Sequence, residues 1–120
     1  MRIISVEGLP DRPIDAHGSK GFRVGGLGLT AESHLIAVGL RPGGVIGRHP
    51  AAARQLLVLM SGDATVSGGD GSPVVLHPGQ AAVWEPGELH ETRTEHGLTA
   101  LVLTGEIDIA DPDRARLPDA

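Results

Sequence analysis

From His34 onward, short apolar segments alternate with turns rich in Gly, Pro, Ser and Asp. The segments are His34–Leu40, Gln55–Met60, Ala64–Val66, Val74–Leu76, Ala81–Trp84 and Leu98–Leu103. Segments of this length at this spacing are typical of a β-sandwich or jelly roll. No window longer than a few residues has helical periodicity free of Gly or Pro. The pattern therefore predicts an all-β domain.

The chain on either side of this region has a weaker pattern. Arg2–Val6 and Phe22–Val24 are candidate strands, and the stretch from Asp11 to Gly18 is predicted to break the structure between them. The predicted division is an N-terminal arm at residues 1–32, a barrel at 33–105 and a polar C-terminal tail at 106–120. A chain of 120 residues has room for one domain with a single core.

Composition indicates the cellular compartment and excludes several classes of function. Trp84 and Phe22 are the only aromatic residues, so the core must come from aliphatic side chains, which suit strands. The net charge of −5 and the lack of a basic stripe argue against a nucleic-acid partner. Cysteine is absent, which excludes disulfides and thiolate metal sites. With no signal-peptide core and no bilayer-length apolar run, we expect a cytoplasmic protein without a membrane partner.

Two sets of spaced residues carry the candidate chemistry. The first is Gly43-x5-His49-x-Ala51-x3-Gln55-x6-Gly62, and the second is Gly79-x5-Glu85-x-Gly87-x2-His90-x3-Thr94. Side chains two apart on a strand share a face, so His49, Ala51 and Gln55 are predicted to point into one end of the barrel. By the same argument His90 faces inward from a neighbouring strand together with Thr92. The two distant imidazoles are then expected to converge.

These spacings resemble the two signature motifs of the cupin superfamily, over roughly residues 33–105. The resemblance implies a double-stranded β-helix, or jelly-roll barrel, whose open end commonly holds a divalent metal. In that family the first motif supplies His, His and Glu, and the second supplies His. The matching positions hold His49, Ala51, Gln55 and His90, so the resemblance implies a metal site of His49, Gln55 and His90. Imidazole and oxygen donors do not select among Fe, Mn, Ni and Zn.

Other residues near the motifs receive predicted roles by position. Ala51, Leu57, Trp84, Glu85 and Thr92 are predicted to line the pocket. Glu88 is the candidate catalytic acid or base, and Glu85 or Glu88 is a candidate fourth donor. Arg48 and Arg54 have the opposite parity and are expected at the surface. His17, His34, His77 and His96 match no motif position, so no site role is predicted for them.

Two functions remain open at this point. One is a metal-dependent oxygenase or isomerase acting on a small organic molecule. The other is a metal-free cupin that binds a small ligand, which Ala51 and Gln55 favour because both substitutions weaken coordination.

Leu56, Val58 and Met60 are apolar, as are Leu57 and Leu59 between them, so this strand is predicted to be buried on both faces. The outer apolar face then needs cover, from the N-terminal arm or from a second subunit. Small cupins commonly dimerise in this way, and the resemblance implies a homodimer.

Overall fold

The computed structural model describes residues 1–6, 11–16, 22–25, 27–29 and 33–109. The predicted all-β fold is confirmed. The strands are β1 Arg2–Ser5, β2 Asp11–Ile14, β3 Phe22–Gly25, β4 Leu27–Leu29, β5 His34–Leu40, β6 Val45–Pro50, β7 Gln55–Gly62, β8 Ala64–Ser67, β9 Val74–Leu76, β10 Gln80–Trp84, β11 Leu89–Arg93, β12 Leu98–Thr104 and β13 Ile107–Ile109. Every apolar segment predicted from His34 onward contains a strand.

Two antiparallel sheets form the barrel. The larger has the order β1-β10-β7-β12-β5, and the smaller has the order β6-β11-β8-β9. Two short ribbons, β13-β4 and β2-β3, complete the described part of the chain. Strands distant in sequence are neighbours in both sheets, which is how the two motifs come together.

The core lies between the two sheets because alternate side chains of each strand point inward. Leu57 and Leu59 of β7 belong to this inner cluster, whereas Leu56 next to them belongs to a separate cluster. The inner cluster consists of Ala51, Leu57, Leu59, Ala64, Val66, Leu76, Ala82, Trp84, Leu98, Ala100 and Val102. Aliphatic side chains make up most of this cluster, and Trp84 is the aromatic ring among them.

The second cluster, called the outer cluster below, lies on the face of the larger sheet that points away from the smaller sheet. Leu56, Ala81, Val83 and Ile107 are buried together, and Ile4 of β1 packs against them. Strand β13, through Ile107, therefore packs over part of this outer face, while β1 extends the same sheet as its edge strand. The predicted burial on both faces of residues 56–60 is wrong at Met60, which is 54% exposed. The pairing with β12 shifts register at this point, so Met60 is the extra residue of an irregularity near the end of β7.

The ends of the chain differ from expectation in two places. Asp11–Ile14, predicted as part of a break, is strand β2, and it pairs with β3 in an isolated ribbon where Pro13 is tolerated. Ile107–Ile109, assigned to the tail, is strand β13, and it pairs with β4. The remainder of the predicted tail, residues 110–120, lies outside the described residues. No described segment is a helix that is both long and apolar enough to cross a membrane.

Candidate metal centre at the barrel mouth

The structure brings the two motif histidines side by side. His49 near the end of β6 pairs directly with His90 of β11. The centroids of the two rings are 4.4 Å apart, and the ring planes are inclined by 49°. Between His90 and Thr92 the pairing of β11 with β6 shifts register, so the alignment at the histidines is local. The predicted meeting of two imidazoles 41 positions apart in sequence is therefore found.

Each of these rings uses Nδ1 in the same way. His49 Nδ1 lies 2.6 Å from the carbonyl oxygen of Gly47, and His90 Nδ1 lies 3.3 Å from the carbonyl oxygen of Glu88. A carbonyl oxygen only accepts, so Nδ1 carries the proton in each neutral ring. Nε2 of each ring then keeps its lone pair. Metal-binding histidines in proteins have this arrangement, in which a backbone carbonyl fixes the tautomer and the ring.

Burial holds His90 in its neutral form. The side chain is only 3% exposed, and its burial lowers the pKa of His90 below the ordinary value, although the Glu88 carbonyl opposes this. The ring also packs on Trp84, with centroids 4.6 Å apart. Trp84 is fully buried, and its indole N–H donates to the carbonyl of Ser67 at 3.1 Å. His90 is therefore an oriented, neutral imidazole, whereas His49 is exposed at the mouth.

Gln55 lies on the opposing sheet, at the first position of β7. It pairs with Trp84 on one side and Thr104 on the other, and it has the inward parity of Leu57. Its amide Nε2 donates to Thr104 Oγ1 at 3.1 Å, which leaves the amide oxygen for another partner. The hydrogen bond orients Gln55 within the barrel. The ligand role of Gln55 stays a prediction.

Three predicted pocket residues are part of the barrel wall. Leu57 and Thr92 are each 1% exposed and lie inside the barrel. Ala51, 4% exposed, follows the end of β6 rather than continuing its alternation. Its N–H donates to the carbonyl of Glu88 at 2.9 Å, and its carbonyl accepts from the N–H of Gly87 at 2.8 Å. Ala51 thus fastens the connection between β6 and β7 to the turn that precedes β11.

Glu88 is engaged on both carboxylate oxygens. Oε2 accepts from the Met1 ammonium at 2.7 Å and from the N–H of Gly69 at 2.9 Å, and Oε1 accepts from the N–H of Glu85 at 3.0 Å. Burial alone would raise the pKa of Glu88, but these hydrogen bonds outweigh it and lower the pKa to about 2. A carboxyl group with this pKa has no proton to donate near neutral pH. The catalytic role of Glu88 stays a prediction that its contacts do not favour.

Glu85 is paired with Arg54 at the rim. Arg54 Nε and Nη2 donate to Glu85 Oε1 at 3.1 and 2.8 Å, and Nη1 donates to the carbonyl of Ile107 at 2.7 Å. Arg54 is partly exposed, as its parity predicts, yet it fastens the rim to β13. Sequence reasoning missed this contact because its partner, Ile107, lies in the predicted tail.

A second group of metal-ligating side chains lies at the other end of the barrel. Donor atoms of Asp63, Glu95 and His96 all lie within 4.8 Å of one another. Asp63 accepts from the backbone N–H groups of Glu95 and His96 at 2.9 and 2.8 Å, and these hydrogen bonds lower the pKa of Asp63. The contacts close the turn between β11 and β12. No sequence motif indicated this group, since Asp63 precedes its partners by about 30 positions.

A family model for the cupin domain matches residues 37–106, more than half of the chain. The chain belongs to the cupin family. Both predicted motifs lie within the matched residues, and the predicted barrel fold is that of the family. Among curated proteins, no sequence matches this cupin.

Solved structures share the fold of this cupin. An RmlC-like cupin with a double-stranded β-helix fold from Methanocaldococcus jannaschii is 15% identical, with a TM-score of 0.59, covering 63% of this chain and 72% of that one. Protein TT1209 from Thermus thermophilus is 24% identical, with a TM-score of 0.58 and coverage of 64% and 75%. The DMSP lyase DddQ from Ruegeria pomeroyi is 22% identical, with a TM-score of 0.58, covering 71% of this chain and 46% of that one. At these identities the likeness concerns the fold alone.

The donor atoms at the mouth of this cupin are of types that bind divalent cations. Two Nε2 lone pairs from adjacent rings and one amide oxygen are all uncharged ligands that borderline metals accept. Their weakness lies in number and charge, because structural metal sites have four protein ligands and catalytic ones usually three. A metal bound here would keep coordination positions open to a small molecule and supply Lewis-acid chemistry.

Proposed function

We propose that this cupin binds a divalent metal ion at the barrel mouth through Nε2 of His49 and of His90, with Gln55 as a third ligand. At this site it acts on or senses a small organic molecule. The single observation that carries the proposal is the matched use of Nδ1 by two adjacent rings. In both rings the hydrogen bond at Nδ1 leaves the lone pair of Nε2 as the donor to a ligand.

The metal class follows from the donors. Neutral imidazole nitrogens suit Fe, Ni and Zn, and an oxygen donor adds Mn to the candidates, whereas hard ions such as Mg²⁺ require several oxygen ligands. The neutral state of His90 near pH 7 means that the metal has no proton to displace from that ring. The ion would lie between a buried imidazole and an exposed one, reachable by solutes.

The shared fold supports a role on small molecules as a general class of function. The fold is shared with proteins named DMSP lyases, so this kind of barrel supports chemistry on small molecules. The substrate of this cupin does not follow from that likeness, because reactions are determined by sites rather than by folds.

Titration of untagged protein with Co²⁺, followed by absorption spectroscopy, tests the proposal. We expect about one equivalent to bind in the wild type. His49→Ala and His90→Ala should each weaken binding by at least about tenfold, the lower bound known for residues that only support metal ligands. The proposal fails if both variants bind Co²⁺ as the wild type does.

The matched control is His96→Ala, which removes a histidine of the group at the other end of the barrel. It should leave Co²⁺ binding unchanged. If only His96→Ala abolishes binding, the metal belongs to Asp63, Glu95 and His96 and not to the barrel mouth.

A metal-free ligand-binding cupin is the second candidate. It is favoured by Ala51, which holds its motif position in the barrel wall and donates no ligand, and by the bond of Gln55 to Thr104. Under this alternative, the wild type takes up no Co²⁺, Zn²⁺ or Ni²⁺, while thermal-shift screening of small organic molecules still finds a stabilising ligand that His90→Ala abolishes.

A further inference from the structure

A cleft of about 420 Å³ lies at the end of the barrel opposite to the mouth. Strand pairing forms its floor, because Arg93 of β11 pairs with Val45 of β6 on one side and with Thr65 of β8 on the other. The adjacent row contains the buried Thr92 and Val66, so by strand alternation the row of Arg93 faces outward. The cleft is therefore outside the barrel, and its volume is within the range of small-molecule sites.

Two carboxylates line one end of this cleft, those of Asp63 and Glu95. An oxygen of each lies within 4.8 Å of the other. Asp63 is ionised near neutral pH, because hydrogen bonds from the backbone N–H groups of Glu95 and His96 lower the pKa of Asp63. A nitrogen that donates at about 2.8 Å to each of two oxygens accommodates any separation up to about 5.6 Å. One ammonium group can therefore bridge the two carboxylates.

Arg93 brings a positive charge to the same cleft. Its Nε donates to Glu91, two residues earlier on β11, and none of the described residues accepts from its Nη groups. Within the described part of the chain, no ion pair joins Arg93 to Asp63 or Glu95, although all three line the cleft. The planar fork of a guanidinium matches a carboxylate. The cleft thus contains charges of both signs that do not pair with one another.

The two charged ends are separated by a distance that a short carbon chain spans. Two residues of extended backbone cover about 7 Å. The pairing continues beyond the end of β11, since the Gly43 N–H donates to the carbonyl of Glu95, two residues after Arg93. Val45 lines the cleft and is 45% exposed, so it offers apolar surface to a ligand. A chain of roughly three or four carbon atoms fits this separation.

We propose that this cleft is a second binding site of the cupin, for a small zwitterion that has an ammonium group at one end and a carboxylate at the other. The ammonium group binds between Asp63 and Glu95, and the carboxylate accepts hydrogen bonds from the Nη groups of Arg93. A molecule with only one of the two charges leaves part of the site without a partner. The site is independent of the proposed metal centre.

A titration with 4-aminobutanoate, followed by the ¹H–¹⁵N amide resonances of the protein, tests the proposal. The ionic strength is held constant because exposed charges are screened by salt. We expect saturable shifts at Val45, Thr65 and Glu95, with a Kd in the millimolar range, on the order of 1 mM. Butylammonium and butanoate each carry one of the two charges, and each should bind at least about tenfold more weakly.

Two variants locate the charges that bind the zwitterion. Glu95→Gln and Arg93→Gln should each weaken the binding of 4-aminobutanoate by about tenfold. Glu95→Gln keeps the backbone N–H that Asp63 accepts, so it leaves the turn between β11 and β12 in place. Glu106→Gln and Arg2→Gln are the matched controls, since they make the same changes of charge at exposed positions outside the cleft, and both should bind as the wild type does.

Three results would overturn the inference. The first is the lack of a saturable shift in the wild type. The second is equal binding of 4-aminobutanoate and a single-charge analogue, or wild-type binding by both Glu95→Gln and Arg93→Gln. The third is a set of shifts centred on His49 and His90, which would assign the zwitterion to the barrel mouth.

Discussion

At Gly62 the chain leaves room for a hydrogen atom and nothing larger. Its φ is +89°, and an added Cβ would lie 2.0 Å from the carbonyl oxygen of Gly97 and 2.8 Å from the Cα of Leu98. The close approach joins the end of β7 to the beginning of β12. Both strands contribute side chains to the inner cluster, so a clash at Gly62 would disturb the packing of the whole barrel.

Gly62→Ala should therefore destabilise the protein by about 2–4 kcal/mol, from left-handed backbone strain and the clash with Gly97. The measurement is urea denaturation followed by Trp84 fluorescence. Gly39→Ala is the control, since an added Cβ there meets nothing within 4 Å, and its midpoint should stay close to that of the wild type. Equal midpoints for the two variants would contradict the account of Gly62.

The meeting of the two motif histidines was easier to predict than the contacts by which other side chains join distant segments. The meeting of His49 and His90 follows from strand alternation and motif spacing, which the sequence contains. The contacts of Glu88 do not, because they involve Met1 and Gly69, whose positions depend on the final packing of distant segments. Whether Gln55 binds a metal also cannot be predicted from the sequence pattern. An amide at this spacing serves equally well as a metal ligand or as a hydrogen-bond partner.

Among the elements, the turn between β10 and β11 is held by one carboxylate. Glu88 joins this turn to the beginning of the chain at Met1 and to the loop after β8 at Gly69. The turn determines where β11 begins, and His90 lies two residues later. The stability of Glu88 contacts thus affects the position of a proposed ligand.

Glu88→Gln should lower the free energy of unfolding by about 1–3 kcal/mol at pH 7, because charge-assisted hydrogen bonds are lost. The pKa of Glu88 is about 2 in the folded protein against 4.5 ordinarily, so the native state favours the ionised form. Its contribution is fully present above about pH 5 and is lost as the pH falls from 4.5 towards 2. The difference between wild type and variant, measured by denaturation across pH 2–7, should shrink over that range.

Glu91→Gln is the control for this prediction. Glu91 pairs with Arg93, whose side chain is 61% exposed, and surface pairs of this kind contribute little. The unfolding free energy of the Glu91→Gln variant should match that of the wild type at pH 7. A Glu88→Gln effect that is independent of pH would contradict the assigned role of the charge.

Strands in the barrel were predictable because alternation and turn residues are local signals. The segment His34–Leu40 coincides with β5, and Val74–Leu76 coincides with β9. Strands β2 and β13 were missed because each is short and lies in a polar, Pro-containing stretch of the sequence, and they pair with β3 and β4 respectively.

On the scale of the whole molecule, the larger sheet has an apolar area on its outer face that the described residues leave exposed. Leu35 of β5 pairs with Leu103 of β12, whose neighbour across the sheet, Leu56, belongs to the outer cluster. Leu35 is 62% exposed and Met60 is 54% exposed. Strand β13 covers one part of this face, and the described residues leave β5 and the end of β7 without cover.

We expect this area to be the contact between two copies of the chain. Light scattering at micromolar concentration should give the mass of a dimer for the wild type and of a monomer for Leu35→Glu or Met60→Glu, because a buried unpaired charge costs several kcal/mol. Val75→Glu is the control, since Val75 is 59% exposed on the other sheet, and it should stay dimeric. A monomeric wild type would contradict the expectation.

The central claim is that His49 and His90 present two Nε2 lone pairs to one metal ion. Long-range ¹H–¹⁵N NMR correlation measures this directly, by the tautomer of each ring and its response to Zn²⁺. We expect Nδ1 of each ring to carry its proton, and both Nε2 resonances to shift with one equivalent of Zn²⁺ while those of His77 stay in place. A proton on Nε2 of either ring, or Nε2 resonances of His49 and His90 that are unmoved by Zn²⁺, would contradict the account.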